Sequence, residues 1–246
     1  MGLVALVTLG LAAEAVWLAW TRQPAAGVPL AAAAVYLGHV LGLSTRFWWT
    51  PRPSRQPGTL TTTPNGTTGV RFGYSGWSYY WTTAILVLTE LVVLLVALGA
   101  ALSATLVGAV VAVVLGVLVL WMGWFLVTML RLAPGSLIVS PTGVEHRGLT
   151  STCFIPWYAV VAVSADWLGT PIIAVKAFPS ADTRVRRYLG RFGSGELSFW
   201  PIMVIRTGWL ASDPTLVYHA LSFYHAHPEL RSELATPQAL KRIGTS

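Results

Sequence analysis

Four stretches of the chain, Leu3 to Trp20, Gly27 to Leu43, Thr82 to Ala101 and Ala104 to Leu130, are almost free of charge over the length of a membrane crossing. A span needs about 20 mostly apolar residues, because a hydrocarbon core of about 30 Å is crossed at about 1.5 Å per residue. Composition agrees. Of 246 residues, 54% are hydrophobic and 10% charged, and the mean hydropathy is +0.64; an ordinary soluble domain carries about 25% charged residues. That class is excluded, and the expected fold is an α-helical membrane protein of four transmembrane helices in two hairpins.

The first hairpin (residues 1–43) turns through TRQPAA, where Pro24 and its polar neighbours reverse the chain, and the second (82–131) turns at Leu102-Ser103. A cleaved signal peptide is the competing reading of the first stretch, but no Lys or Arg precedes it and its apolar run exceeds the usual core of about 7 to 15 residues. A retained helix is expected.

Basic residues set the orientation. Arg46, Arg52, Arg55 and Arg71 lie between the second and third stretches, only Arg22 lies between the first and second, and Arg131 opens a tail with ten further basic residues. Both termini, the 44–81 segment and the tail are therefore expected in the cytoplasm of a bacterium, with the spans in its inner membrane. Trp17, Trp20, Trp48, Trp49, Trp77, Tyr79, Tyr80 and Trp81 stand at the ends of the stretches, where amphipathic rings favour the headgroup level. The net charge of +7 is carried almost wholly by arginine, with Lys176 and Lys241 the two lysines. Cys153 is the single cysteine, so an intramolecular disulfide and a CxxC pair are both impossible.

The 44–81 segment is rich in Pro, Gly and Thr. Its Asn65-Gly66 pair between LTTT and TTGVRFGY signals a β-hairpin, with a disordered loop as the alternative. After Leu132 the period changes. GSLIVSPTGVEHRG reads as strand, turn, strand; STCFIPWYAVVAVSADW, PIIAVKAFP and WPIMVIRTGWL supply further strands, for five to seven in an antiparallel β-domain over 132–246. LASDPTLVYHALSFYHAH then takes helical spacing, with Leu216, Val217, Ala220, Leu221, Phe223 and Tyr224 on one face, a cap at Ser212 or Asp213, and Pro214 at the first helical position. A second proline-opened helix is expected at HPELRSEL.

The LIVSPTGVEHRG strand pair, the later Ile155-Pro156-Trp157 step and the capped terminal helix resemble the bacterial pleckstrin-homology-like (PH-like) domains over about Pro134 to Leu234. The resemblance implies a bent β-sandwich closed by the helix and encodes no chemistry. The polar insertion SADTRVRRYLGRFGSGELS departs from the pattern. The layout of four spans plus this tail, ending in YHALSFYHAHPELRSEL, resembles actinobacterial membrane proteins, among them the accessory subunits, called lipid uptake coordinators, of the mycobacterial Mce lipid importers. That resemblance implies lipid-transport permease or ATPase subunits as partners.

Glu14, His39 and Glu90 are the ionisable residues inside the apolar stretches, where a charge is costly enough to demand a partner or a cavity. Gly108, Ala112 and Gly116, followed by Gly123, form a small-residue stripe that permits close helix approach. Both features are candidate partner contacts. Arg184, Arg186, Arg187 and Arg191, in the polar insertion, are candidate contacts to lipid headgroups or a partner, at about 1 kcal/mol per basic residue near an anionic surface; pairing with Asp182 and Glu196 is the plainer alternative. No nucleic-acid motif accompanies them. His219, His225, His227 and His146 lack zinc spacing, and no phosphate loop, nucleophile elbow or HExxH is present, so no catalytic residue, metal or cofactor is expected. The expected function is a non-enzymatic accessory subunit of a membrane complex. The alternatives are a small transporter or channel using Glu14, His39 and Glu90, and a stand-alone membrane-anchored lipid-binding or regulatory protein.

Overall fold

The computed structural model describes residues 2–21, 24–48, 58–63, 66–190, 199 and 201–245. The chain divides into two compact units. One comprises Met1–Pro51 and Trp77–Gly123, and the other Arg52–Gly76 and Trp124–Ser246.

The first unit draws on helices α1 (Gly2–Trp20), α2 (Pro24–Trp48), α3 (Gly76–Leu102) and α4 (Leu106–Leu132). Unbroken runs of Leu, Val and Ala choose a helix because it satisfies every interior backbone group within the segment, the one way a lone apolar segment can shed water. Three of the helices, over Gly27–Thr45, Gly76–Leu102 and Leu106–Leu132, are long and apolar enough to cross a membrane, and the first is apolar over the shorter stretch Val4–Leu18. Large apolar side chains such as Leu91, Leu95, Leu98, Val113 and Leu120 stay exposed on α3 and α4, as suits a membrane-embedded protein. α3 starts earlier than the apolar run suggested, so Trp77, Tyr79, Tyr80 and Trp81 lie inside the helix. The α3–α4 link is tight. Ala104 takes φ +52°, the Ser103 hydroxyl donates to the Ala100 carbonyl at 2.7 Å, and the Thr105 hydroxyl caps α4 by accepting from the Gly108 amide at 3.0 Å.

The second unit is β-rich. Its strands are β1 (Thr59–Thr62), β2 (Thr68–Gly73), β3 (Ser136–Ser140), β4 (Gly143–Arg147), β5 (Ser151–Pro156), β6 (Val160–Trp167), β7 (Pro171–Ala177), β8 (Arg184–Arg187) and β9 (Ile202–Arg206). They form a six-stranded sheet in the order β1-β2-β3-β4-β5-β8 and a three-stranded sheet in the order β6-β7-β9, with every pairing antiparallel. Alternation along the larger sheet puts Val70, Phe72, Leu137, Val139, Val144, Cys153 and Ile155 on one buried face, while Arg71, Ile138, Glu145, Phe154 and Arg184 make a cross-strand row on the other.

The hairpin reading of the 44–81 segment holds for β1 and β2, although Asn65 lies outside the described residues. Sequence reasoning had set this segment apart; the structure joins it to the larger sheet, because Val70 and Phe72 pair in register with Val139 and Leu137 and need that core. Gly143 answers the turn after β3. A Cβ there would collide with the Ile155 carbonyl and stand 2.8 Å from the Pro156 Cα, so the SPTG turn and the Ile-Pro-Trp step are built against each other. Trp157 locks the pair by donating its ring N–H to the Ser140 carbonyl at 2.7 Å.

Helix α5 (Pro214–Ala226) begins as expected, with the Asp213 carboxylate accepting from the Thr215 amide at 2.9 Å and Pro214 in the first turn. It buries Val217, Ala220, Leu221 and Tyr224. The second proline-opened helix is present at HPELRSEL as a 3-10 helix, Pro228–Ala235, tightened by i→i+3 bonds such as the Thr236 amide to the Glu233 carbonyl at 2.7 Å. A short α6 (Pro237–Gly244) follows.

Candidate functional site

Within the helical unit the three ionisable residues of the apolar stretches, Glu14, His39 and Glu90, do not converge. Glu14 is exposed on α1. His39, on α2, offers Nδ1 to the Val35 carbonyl at 2.8 Å and sits in an aromatic cluster from α3, with ring centroids 6.3 Å from Tyr80 and 5.5 Å from Trp81; its Nε2 stands 3.5 Å from the Tyr80 hydroxyl. Trp81 in turn presses on Gly42, where a Cβ would lie 2.5 Å from its ring, and about two turns further along α3 the Thr89 and Tyr36 hydroxyls meet at 3.1 Å. Glu90 is half-buried on α3, its Oε1 3.0 Å from where a Cβ on Gly123 of α4 would be. Among the described residues no hydrogen bond or ion pair joins Glu14, His39 and Glu90 to one another.

The small-residue stripe divides by role. Gly108 is buried, and a Cβ there would collide with Ser103 and the Ala100 carbonyl, so its smallness serves the α3–α4 link. Gly123 makes room for Glu90. Ala112 is half-buried, and a Cβ on Gly116 meets nothing within 4 Å, which leaves this part of α4 unfilled.

In the β unit the arginine cluster is not a loop. Arg184, Arg186 and Arg187 form strand β8 on the border of the larger sheet, with Arg187 opposite Ser151, Arg186 opposite Thr152 and Arg184 opposite Phe154. An edge strand keeps one flank in water and tolerates charge, so arginines stand where apolar alternation was sought. Arg184 and Arg186 share the outer face, and Arg186 stacks over Tyr188 at 4.9 Å. Arg191 and Glu196 lie outside the described residues. Asp182 accepts from the Tyr158 hydroxyl, which also lies 2.6 Å from Ser180 Oγ.

Between these arginines and the β1–β2 hairpin runs a hollow of about 540 Å³, lined by Thr63, Thr67, Ser140, Glu145, Tyr158 and Asp182 with Phe154, Pro156, Thr142 and Arg184. A second, of about 370 Å³, adjoins it at Glu145, Phe154 and Arg184 and extends to Arg186. Burial raises the Glu145 carboxyl above the ordinary range, against the pull of Arg147. Sequence reading missed Glu145, Phe154 and Tyr158. The outward phase of Glu145 between Val144 and His146 was readable; the partners that β5 and β8 bring to it were not.

The terminal histidines are structural. His225 Nε2 lies 3.2 Å from the Val160 carbonyl, and His227 stacks on Phe223 at 4.4 Å while its Nδ1 lies 2.9 Å from the Phe223 carbonyl at the end of α5; His219 is exposed beside Tyr218. His146 is buried against the Tyr74 hydroxyl. Arg231 closes α5 by donating to the Tyr224 and His225 carbonyls at 2.8 and 3.0 Å and covers Trp157 at 4.8 Å. Glu233 accepts from Tyr224 at 2.8 Å and from Arg242 at 2.6 and 3.1 Å, and the Arg242 bond holds its carboxyl below the ordinary range. Burial pushes the Cys153 thiol up to about 12, so it stays protonated and unreactive at neutral pH.

Compared with known proteins, the chain matches no family model, no curated protein and no solved structure.

Proposed function

We propose that this chain is a non-enzymatic accessory subunit that docks through its membrane helices onto a larger complex of the bacterial inner membrane, with an Mce-type lipid importer as the assembly. In this reading α1 is a fourth span. Its 19 residues rise about 28 Å at about 1.5 Å each, enough for the hydrocarbon core. Both termini and the β unit, taken as a PH-like domain, lie in the cytoplasm, where the arginines flanking the helices favour them.

The observation that carries the proposal is Glu14, a carboxylate exposed on an apolar helix with no partner in its own chain among the described residues. In lipid such a group is tolerated when a neighbouring protein supplies a donor or a cation. The unfilled surface at Gly116 adds a place for close approach by a second helix. A proton or ion relay fits less well, because among the described residues no hydrogen bond or ion pair links Glu14, His39 and Glu90.

The test is recovery of the tagged chain from its native membrane in mild detergent, with mass spectrometry of what accompanies it. Lipid-transport permease and ATPase subunits in fixed ratio, lost on Glu14→Leu, are the expected result. Recovery of the chain alone overturns the proposal.

A further inference from the structure

The outer face of the six-stranded sheet carries a cavity with no role in the docking proposal and independent of it. Its volume of about 540 Å³ is within the usual range for small-molecule sites, about 300 to 1,000 Å³. The walls are hydroxyl-rich, and the hydroxyls are held in place: Thr63 and Thr67 Oγ1 lie 2.6 Å apart, Ser140 and Thr142 hydroxyls 3.1 Å apart, and Tyr158 is fixed by Ser180 and Asp182. Glu145 also lines it, and neither its side chain nor that of Arg184 makes a hydrogen bond to another described residue. Phe154 and Pro156 supply apolar surface.

The balance of charge selects the ligand. Two carboxylates, Glu145 and Asp182, face one guanidinium, Arg184, in this cavity, so a phosphate or another anion would meet net repulsion. A neutral polyol suits all of it: vicinal hydroxyls can donate to a carboxylate and accept from Arg184 and the Thr and Ser hydroxyls, while the C–H face of a pyranose covers an aromatic ring. We propose that this groove binds a neutral sugar, either free or as the uncharged head of a glycolipid, with Glu145, Asp182 and Arg184 as the polar contacts and Phe154 as the stacking surface. The raised carboxyl of Glu145 agrees, because a group already stripped of part of its water loses less when a ligand covers it.

The proposal is tested on the full chain in phosphatidylcholine nanodiscs, which avoid sugar-headed detergents. Saturation-transfer NMR with maltose should show contact to ring protons, weakened about tenfold or more by Glu145→Gln and by Arg184→Gln, as expected when a charged hydrogen-bond partner is removed, with melting temperatures unchanged. Adding glucosyl diacylglycerol to the nanodisc distinguishes the source: displacement of maltose indicates a lipid headgroup, and undiminished maltose contact indicates a free sugar. Absence of transfer at millimolar maltose overturns the proposal, as does a signal from both variants equal to that of the wild type or binding of tetralysine in place of sugar.

Discussion

The two units obey opposite rules for the same residue types. On α3 and α4 leucine and valine point outward, with Leu102 and Leu106 more than four-fifths exposed, whereas in the β unit Phe72, Leu137 and Ile155 are fully buried. The helices rely on their surroundings to satisfy their surface. The sheets make their own interior, at about 25 cal/mol for each Å² of apolar surface withdrawn from water. One chain is thus written for two solvents, and the same substitution should have different costs in the two units.

The largest expected effect is in the sheet core. Phe72→Ala removes a fully buried ring and should destabilise the β unit by about 3–5 kcal/mol, read as loss of the cooperative melting step followed by near-ultraviolet circular dichroism. Next comes Leu120→Arg on α4, costing about 2.5–3.5 kcal/mol if that position faces the bilayer centre; the check is membrane integration by carbonate extraction. Equal integration of variant and wild type would mean that this face of α4 is not in lipid. Gly42→Leu, which displaces Trp81 and disturbs the contact to His39, should cost about 1–3 kcal/mol through overpacking, measured as a lower melting temperature in detergent.

The smallest effect is electrostatic and separates two carboxylates of the β unit. Glu233 has its carboxyl held down, chiefly by Arg242, so its contribution is present above the unfolded-state value near 4 and lost as pH falls through the lower folded value. Glu145 is raised by burial, so its ionised form opposes folding at neutral pH and that opposition fades as pH falls. Glu233→Gln should lower the melting temperature at pH 7 and flatten its acid-side decline. Glu145→Gln should leave it unchanged or slightly raise it at pH 7. Melting curves from pH 3 to 7 check both signs.

The helices were legible because apolar length is a local property, and so was the α5 cap, where Asp213 and Pro214 stand beside the helix they start. Strands β3, β4, β7 and β9 announced themselves by alternation or apolar runs. Strand β8 did not, because four consecutive positions reading Arg-Val-Arg-Arg become a strand through pairing with β5 some thirty residues earlier. The same non-locality hid the groove: Thr63, Glu145, Tyr158 and Asp182 come from distant parts of the sequence and meet through register. Glu14, His39 and Glu90 were visible as ionisable groups in apolar stretches, yet the neighbours that His39 and Glu90 meet depend on packing that composition does not encode.

In the proposed docking the apolar helices face another protein. The most direct measurement is photocrosslinking in native membranes from a benzophenone amino acid placed at Trp17 of α1, which shares a helix face with Glu14 at i, i+3 spacing and is itself about three-fifths exposed. The expected result is a discrete adduct to a membrane-transport subunit that disappears when Glu14→Leu is added. Adducts to lipid alone, unchanged by that substitution, would contradict it.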